Sequence, residues 1–313
     1  MFLISSFCPS RFFNLKRHFF WRIIWVSITV FLYGPFLAQS KPLDHFDPSS
    51  LSPIQKGEFY LAQSFNTEAL KIYQSLINAG KGDEYAFRGM IRAYKNMDKL
   101  EEAQEWLENY LVSNLSSSAV FYGLGYINYL NENIEKSQSF FNQALELNAK
   151  NALALNNLGA IYSRQKSYNQ AAEKVRAAIY INPKELIFFN NLELIYKKMG
   201  NSELIFSDYN RYLKKGVSDL VRGYGMAVGR KMRQAGFKLY SKGKLDEAIG
   251  KFIEIETVYK NIKHQTGLVP IYFSLGLLHE EKGDFKNAKK FFKQVLAFNS
   301  LHMQAKERLN QLQ

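Results

Sequence analysis

The feature that most constrains this chain is a small residue that returns every 34 positions. The residues in this slot are Ala69, Ala103, Ser137, Ala171, Ile205, Ala248 and Ala288, of which only Ile205 is large. The first five are each 34 residues apart, and the last two follow at intervals of 43 and 40 residues. A fixed period of this length is typical of stacked supersecondary units that cannot bury their apolar faces alone. The sequence therefore predicts a repeat array over roughly residues 50–302.

Within each unit the apolar and small residues have helical spacing. In residues 152–185 the first half of the unit has Leu155, Leu158, Gly159 and Tyr162. The second half has Ala171, Val175 and Ala178, and Pro183 ends the unit. Only 7 of the 313 residues are proline, which also favours helices over a strand-and-turn architecture. We infer two antiparallel helices per unit that approach closely at the small residues.

The period and these motifs resemble the tetratricopeptide repeat family. The resemblance implies an all-α, right-handed superhelical solenoid of antiparallel helix pairs, with about seven repeats and a C-terminal capping helix. The expected organisation is repeats one to five at residues 50–219, repeats six and seven at 229–302, and the capping helix at 303–313. Residues 220–228 are interpreted as an insertion or linker, because three glycines lie where the period is interrupted. This segment would be a hinge, a contact loop or a helix extension.

Residues 1–40 are predicted to be a signal peptide. Four cationic side chains and no acid precede the apolar run that starts at Ile23, and this run is too short for a typical membrane-spanning helix of about 20 residues. Small residues at Ala38 and Ser40 place cleavage before Lys41, so residues 41–49 are a linker. The product is expected in the periplasm, in the cell envelope or outside the cell. The alternative is an uncleaved anchor at residues 23–37.

In the family that this sequence resembles, the first helices of successive units line a concave groove that holds the ligand. The side chains expected to face this groove are basic, aromatic or amide-bearing. They are Arg88, Arg92, Lys95, Tyr122, Tyr126, Tyr129, Asn156, Asn190, Lys197, Arg230 and Arg233. Such side chains suit a protein or an extended peptide, and the cations suit an acidic one. These residues form the predicted peptide-binding groove.

No motif in the sequence indicates catalysis, a metal site or a cofactor. The only cysteine, Cys8, lies in the predicted signal, and the histidines form no metal-binding motif. We therefore expect a binding scaffold, an adaptor or assembly factor, and not an enzyme with a small-molecule substrate. An alternative is polyanion or nucleic-acid binding through residues 186–268, which hold 15 Lys and Arg against 8 Asp and Glu. Nucleic acid is not the expected partner of an exported chain, and a membrane would be contacted only through an uncleaved N-terminal segment.

Overall fold

The computed structural model describes residues 50–114 and 116–312, which form fifteen α-helices and no β-strand. Helices α1 to α14 make seven consecutive pairs, so odd numbers are the first helices of a pair and even numbers are the second helices. Helix α15 follows the seventh pair. In chain order they are α1 (Pro53–Ala62), α2 (Asn66–Asn78), α3 (Glu84–Asn96), α4 (Leu100–Val112), α5 (Ser118–Leu130), α6 (Ile134–Leu147), α7 (Ala152–Arg164), α8 (Tyr168–Ile181), α9 (Leu186–Lys198), α10 (Leu204–Leu213), α11 (Asp219–Ser241), α12 (Leu245–Asn261), α13 (Gln265–Glu281), α14 (Phe285–Phe298) and α15 (Met303–Gln311).

The turn inside each pair contains one residue with a positive φ angle. These residues are Ser64, Asp98, Glu132, Lys166, Gly200, Gly243 and Gly283. The first five are 34 residues apart and have φ angles between 58° and 74°. A left-handed residue lets the chain reverse its direction within a few positions, although it costs a non-glycine residue about 1–2 kcal/mol. The 34-residue period is therefore the period of a backbone turn as well as of side-chain size.

Small residues set the distance between the two helices of a pair. A methyl group at Gly159 in α7 would lie 2.4 Å from Cγ2 of Val175 and 3.0 Å from the carbonyl oxygen of Ala171 in α8. In the third pair, Gly125 meets the ring of Phe141 in the same way. Because real Cβ atoms almost never come this close, only glycine permits these approaches. This explains why a small residue returns in every well-formed unit.

Residues 220–228 differ from the linker interpretation, because they are helical and lie inside α11. This helix has 23 residues, and α13 has 17, whereas most first helices have 13. The extra residues thus lengthen helices and do not form a hinge or a contact loop. Gly223 faces Phe189 and Gly229 faces the Tyr259 ring, each with no room for a methyl group. The glycines that suggested a linker are contact points between closely packed helices.

The C-terminal helix α15 covers the apolar side of the last pair. Ala305 is completely buried there, and Nη1 of Arg308 donates a 3.1 Å hydrogen bond to Oε1 of Glu280 in α13. Buried residues from all seven pairs join one continuous apolar core. The predicted fold class, an all-α solenoid of antiparallel helix pairs with a C-terminal cap, is confirmed.

The predictions for the N-terminal segment lie outside the described residues. They comprise the signal peptide at 1–40, the cleavage before Lys41, the anchor alternative at 23–37 and the linker at 41–49. Within residues 50–114 and 116–312, no helix is both long enough and apolar enough to cross a bilayer.

Candidate functional site

The first helices of the first six pairs form one continuous surface, which we call the first-helix face. Helix α3 contacts α1 and α5, α7 contacts α5 and α9, and α9 contacts α11. Contacts between neighbouring second helices are sparser. A stack whose first helices are closer together than its second helices curves toward the first helices. The residues of the predicted groove on α3, α5, α7, α9 and α11 belong to this first-helix face.

Two of the three predicted cations on α3, Arg88 and Arg92, form ion pairs with carboxylates of the chain. Nη1 of Arg92 donates hydrogen bonds to both carboxylate oxygens of Glu58 in α1, at 2.9 and 2.7 Å. Arg88 lies 3.8 Å from the same carboxylate, and its side chain is only 17% exposed. Lys95, one turn further along α3, is exposed and has no ion-pair partner among the described residues. Of the three predicted cations on α3, only Lys95 is left without an ion-pair partner among the described residues.

Two hydrogen bonds join α3 to the short segment between α8 and α9, although other helices lie between them in the chain. Nδ2 of Asn182 donates a 2.5 Å hydrogen bond to the Tyr85 hydroxyl, and Nη1 of Arg88 donates a 3.3 Å bond to Oε2 of Glu185. Each contact joins residues that are 97 positions apart. We call these four residues the cross-repeat bridge. Burial raises the pKa of Tyr85 to about 12, and the Asn182 bond opposes this rise; the phenol therefore stays protonated at neutral pH.

Two predicted groove residues on the helices between the ends of the bridge are buried. Tyr122 in α5 is only 1% exposed, and its ring stacks on Tyr126 with centroids 6.0 Å apart. Burial raises the pKa of both hydroxyls. Asn156 in α7 is also buried and accepts a 2.8 Å hydrogen bond from Nδ2 of Asn191. Tyr122 and Asn156, predicted as groove residues, are thus buried and offer little surface to a ligand.

The C-terminal ends of α3, α5, α7 and α9 leave a second part of the face accessible. Its residues, which we call the open strip, are Lys95, Tyr129, Arg164, Leu194 and Lys197. Tyr129 is half-buried and lies under the Arg164 guanidinium, whose carbon is 5.6 Å from the ring centroid. Leu194 is 51% exposed, and Lys197 is exposed. Lys95, Tyr129 and Lys197 occupy the same position in their respective repeats, so their side chains follow one edge of the first-helix face.

The remaining predicted residues are not gathered in one place. Asn190 is exposed near the N-terminal end of α9. In α11, Nη2 of Arg230 donates a 2.7 Å hydrogen bond to Oε1 of Glu193 in α9. Arg233 is half-buried, and this burial lowers the pKa of its guanidinium. The α11 cations are thus partly screened by the protein itself.

Sequence reasoning missed four residues of this face: Glu58, Tyr85, Asn182 and Glu185. A signal for the first was present, because Glu58 and Arg92 are 34 residues apart and so occupy equivalent positions on neighbouring first helices. Opposite charges one period apart are adjacent in such a stack. The other three residues meet across several repeats, and no local pattern indicates that contact.

The described part of the chain contains no group of three or more His, Cys, Asp or Glu side chains that could hold a metal ion. His279 packs within its own helix pair: its Nδ1 is 3.1 Å from Oδ2 of Asp284, and its ring stacks on Phe291. The first-helix face offers cations, aromatic rings and amides. These groups suit the recognition of a polypeptide surface.

Comparison with known families gives matches in two stretches of the chain. Two family models described as tetratricopeptide repeat match, one at residues 140–173 and the other at residues 118–151 and 269–300. No curated protein matches the chain.

Several solved structures are similar to parts of this chain. A thermophilic TPR protein of Thermus thermophilus is 17% identical, with a TM-score of 0.41 over 56% of this chain and 97% of that one. YrrB, titled a TPR protein with an unusual peptide-binding site, is 19% identical, with a TM-score of 0.35 over 65% and 97%. MamA is 18% identical, with a TM-score of 0.36 over 57% and 96%.

Proposed function

We propose that this chain, a member of the tetratricopeptide repeat family, is a scaffold that binds a protein or an extended peptide on its first-helix face. In this proposal it works without catalysis, as an adaptor or assembly factor exported to the cell envelope. Proteins of this family are scaffolds for protein–protein interaction. The groove, the acidic character of the ligand and the location are our inferences.

The observation that carries the proposal is the open strip. Lys95 and Lys197 are exposed and have no ion-pair partner among the described residues, whereas Arg88, Arg92 and Arg230 already bind carboxylates of the chain. An added carboxylate therefore gains most at the two lysines. Between them, the Tyr129 ring and the Leu194 side chain offer apolar contact. The fitting ligand is an extended segment that combines acidic and apolar side chains.

A selection from a displayed peptide library against the full-length chain tests this site. Peptides rich in Asp or Glu together with apolar residues should be enriched, and Lys95→Glu/Lys197→Glu should abolish their binding. The matched control is Lys71→Glu/Lys136→Glu, which reverses two exposed lysines on second helices and should bind as the wild type does. Equal binding by both double variants, or enrichment of basic peptides, would exclude the open strip as the acidic-peptide site.

Export requires its own measurement. N-terminal sequencing of the protein from its native cells should begin at Lys41, as expected for a cleaved signal. An intact N-terminus in the membrane fraction would instead support the variant in which residues 23–37 remain as an anchor.

The polyanion alternative has less support. Several cations of residues 186–268 are paired within the chain, among them Arg211 with Asp208, Arg222 with Asp219 and Lys231 with Glu203. A binding assay with nucleic acid over a range of salt concentrations would distinguish it, because phosphate contacts produce a steep loss of affinity as salt increases. Absence of binding at low salt would eliminate this alternative.

A further inference from the structure

The outer side of α14 is a face of a single charge sign. The helix contains four lysines and no acidic residue. Lys286, Lys290 and Lys293 are exposed, Lys289 is half-buried, and none of the four has an ion-pair partner among the described residues. Positions 286, 290 and 293 are spaced by four and three residues, so their side chains lie on one side of the helix. We call this surface the lysine face.

Helix α4, five pairs earlier, has an exposed face of the opposite charge. Glu101, Glu105 and Glu108 are exposed, are spaced by four and three residues, and have no ion-pair partner within the described part of the chain. Counted from Ala103 and Ala288, which occupy the same slot, these glutamates are at the positions that Lys286, Lys290 and Lys293 occupy in α14. We call this surface the glutamate face. Equivalent positions in two repeats thus carry opposite charges.

The other second helices mix their charges. Glu135 is followed by Lys136 in α6, Glu173 by Lys174 in α8, and α12 contains Lys251 together with Glu254. Mixed signs are the usual state of a solvated helix surface. Single-sign faces are found on the second and seventh pairs among the described second helices, which sets these two surfaces apart.

We propose that the lysine face of one copy of the chain docks on the glutamate face of a second copy. The two faces lie on pairs two and seven, and α4 and α14 are not among the helices that pack against each other within one chain. With the helices antiparallel, Glu101, Glu105 and Glu108 oppose Lys293, Lys290 and Lys286, since both sets span seven residues on one side of their helix. Each copy has one face of each sign, so the association is head to tail and propagates along a row of copies.

Exposed apolar side chains lie next to both faces. Val112 at the C-terminal end of α4 is 76% exposed, and Phe285 at the N-terminal end of α14 is 52% exposed. In the antiparallel arrangement the two side chains lie at the same end of the paired helices, where docking removes apolar surface from water. Because α4 and α14 are second helices, the docking leaves the first-helix face accessible. The inference therefore does not depend on the peptide site.

Sedimentation velocity of the full-length chain tests the proposal. Exposed ion pairs contribute little individually, so association should be weak and strongly dependent on salt. We expect concentration-dependent association at about 20 mM salt and its loss at about 0.5 M salt, where charges are screened over a few ångströms. Reversing the lysine face with Lys286→Glu/Lys290→Glu/Lys293→Glu, or the glutamate face with Glu101→Lys/Glu105→Lys/Glu108→Lys, should weaken self-association by about tenfold or more.

The decisive measurement is a mixture of these two triple variants. Each has two faces of like sign and cannot pair with itself, but the lysines of one match the glutamates of the other, so an equimolar mixture should associate as the wild type does. The control Lys71→Glu/Lys136→Glu/Lys215→Glu changes the net charge equally at exposed lysines elsewhere and should keep its self-association. Circular dichroism verifies that each variant is folded.

Three outcomes would overturn the proposal. They are a wild type that stays monomeric at low salt, a lysine-face variant that associates normally, and a mixture that does not recover association. Flotation with vesicles that contain anionic lipid examines the competing partner. If the lysine-face variant loses vesicle binding but keeps self-association, the lysine face is a membrane-binding surface and not an interface between copies.

Discussion

The side-chain amide of Asn182 donates a 2.5 Å hydrogen bond to the hydroxyl of Tyr85, which joins two points of the chain that are 97 residues apart. Asn182 ends α8 and Tyr85 begins α3, so the bond spans the helices between the second and fourth pairs. A bond between repeats that are not neighbours restrains the curvature of this part of the stack.

Removing the hydroxyl should loosen that curvature. We expect Tyr85→Phe to lower the free energy of unfolding by about 1 kcal/mol, the usual contribution of a neutral hydrogen bond. Deuterium uptake at residues 182–185 should increase. The control is Tyr180→Phe, which removes a hydroxyl from a side chain that is 74% exposed. Equal deuterium uptake in both variants would contradict a structural role for the bridge.

Two glycine-to-alanine substitutions should have effects of opposite sign. At Gly223, a new methyl group would lie 2.4 Å from Cζ of Phe189 and 2.7 Å from the carbonyl oxygen of Pro183. We expect a loss of about 1–3 kcal/mol of unfolding free energy from this overpacking. At Gly250 in α12, nothing lies within 4 Å, so alanine should add about 0.5–1 kcal/mol through its better helix propensity. Urea denaturation measures both, and a neutral Gly223→Ala would show that α11 packs less tightly than described.

Removal of the buried Asp208 carboxylate should lower the free energy of unfolding more than removal of an exposed carboxylate. It accepts hydrogen bonds from the Tyr196 hydroxyl and, at 2.6 Å, from Nη2 of Arg211, and Nε of Arg176 is 3.6 Å away. Asp208→Ala leaves these donors without their acceptor, and the partial exposure of both arginines limits the cost to about 2–3 kcal/mol.

The matched substitution is Asp246→Ala, which removes an exposed ion pair with Lys282. Water replaces such a pair readily, so the unfolding midpoint in urea should barely change. If the Asp208 and Asp246 variants had the same midpoint, the buried network around Asp208 would make no special contribution.

Acid should weaken the C-terminal end of the stack. Burial lowers the pKa of His302 below its ordinary value of 6.5, and its Nδ1 accepts a 3.2 Å hydrogen bond from the Ala305 amide at the start of α15. The folded state thus favours the neutral ring. As pH falls below about 6.5, the unfolded chain binds a proton that the folded chain resists, so this stabilisation is complete at neutral pH and decreases in acid.

His302→Asn keeps a good N-terminal cap and removes the titrating ring. The decrease in unfolding free energy between about pH 7.5 and pH 5 should therefore be smaller in this variant than in the wild type. Urea denaturation at the two pH values gives the comparison. An unchanged decrease would assign the acid sensitivity to other groups, such as His264, whose pKa is also lowered by burial.

The fold could be predicted from sequence because its cause is local and repeated. The same turn and the same close approach of two helices return every 34 residues, and Gly159 and Ala171 show the requirement directly. Pairs between neighbouring repeats are also accessible to sequence reasoning, since Arg92 and Glu58 are one period apart. For residues 220–228 the sequence did not distinguish a linker from a helix extension, because a glycine in a close helix contact and a glycine in a loop look alike in sequence.

The shape of the candidate site could not be predicted in the same way. Whether Tyr85 reaches Asn182 depends on small rotations accumulated over several helix pairs, and no residue pattern specifies their sum. Arg88 was therefore interpreted as a groove cation, although its guanidinium binds Glu185. Lys95 and Lys197, at the edge away from this contact, remain as accessible as the sequence suggested.

The cross-repeat bridge, whose partners are 97 residues apart, also limits changes in the number of repeat units. Contacts between equivalent positions of adjacent repeats, such as Arg92 with Glu58, would survive the duplication or deletion of a unit elsewhere. The bond between Tyr85 and Asn182 would not survive such an event between residues 85 and 182, because it requires a set number of units between its ends. This stretch should therefore resist changes in copy number that the last two pairs could accept.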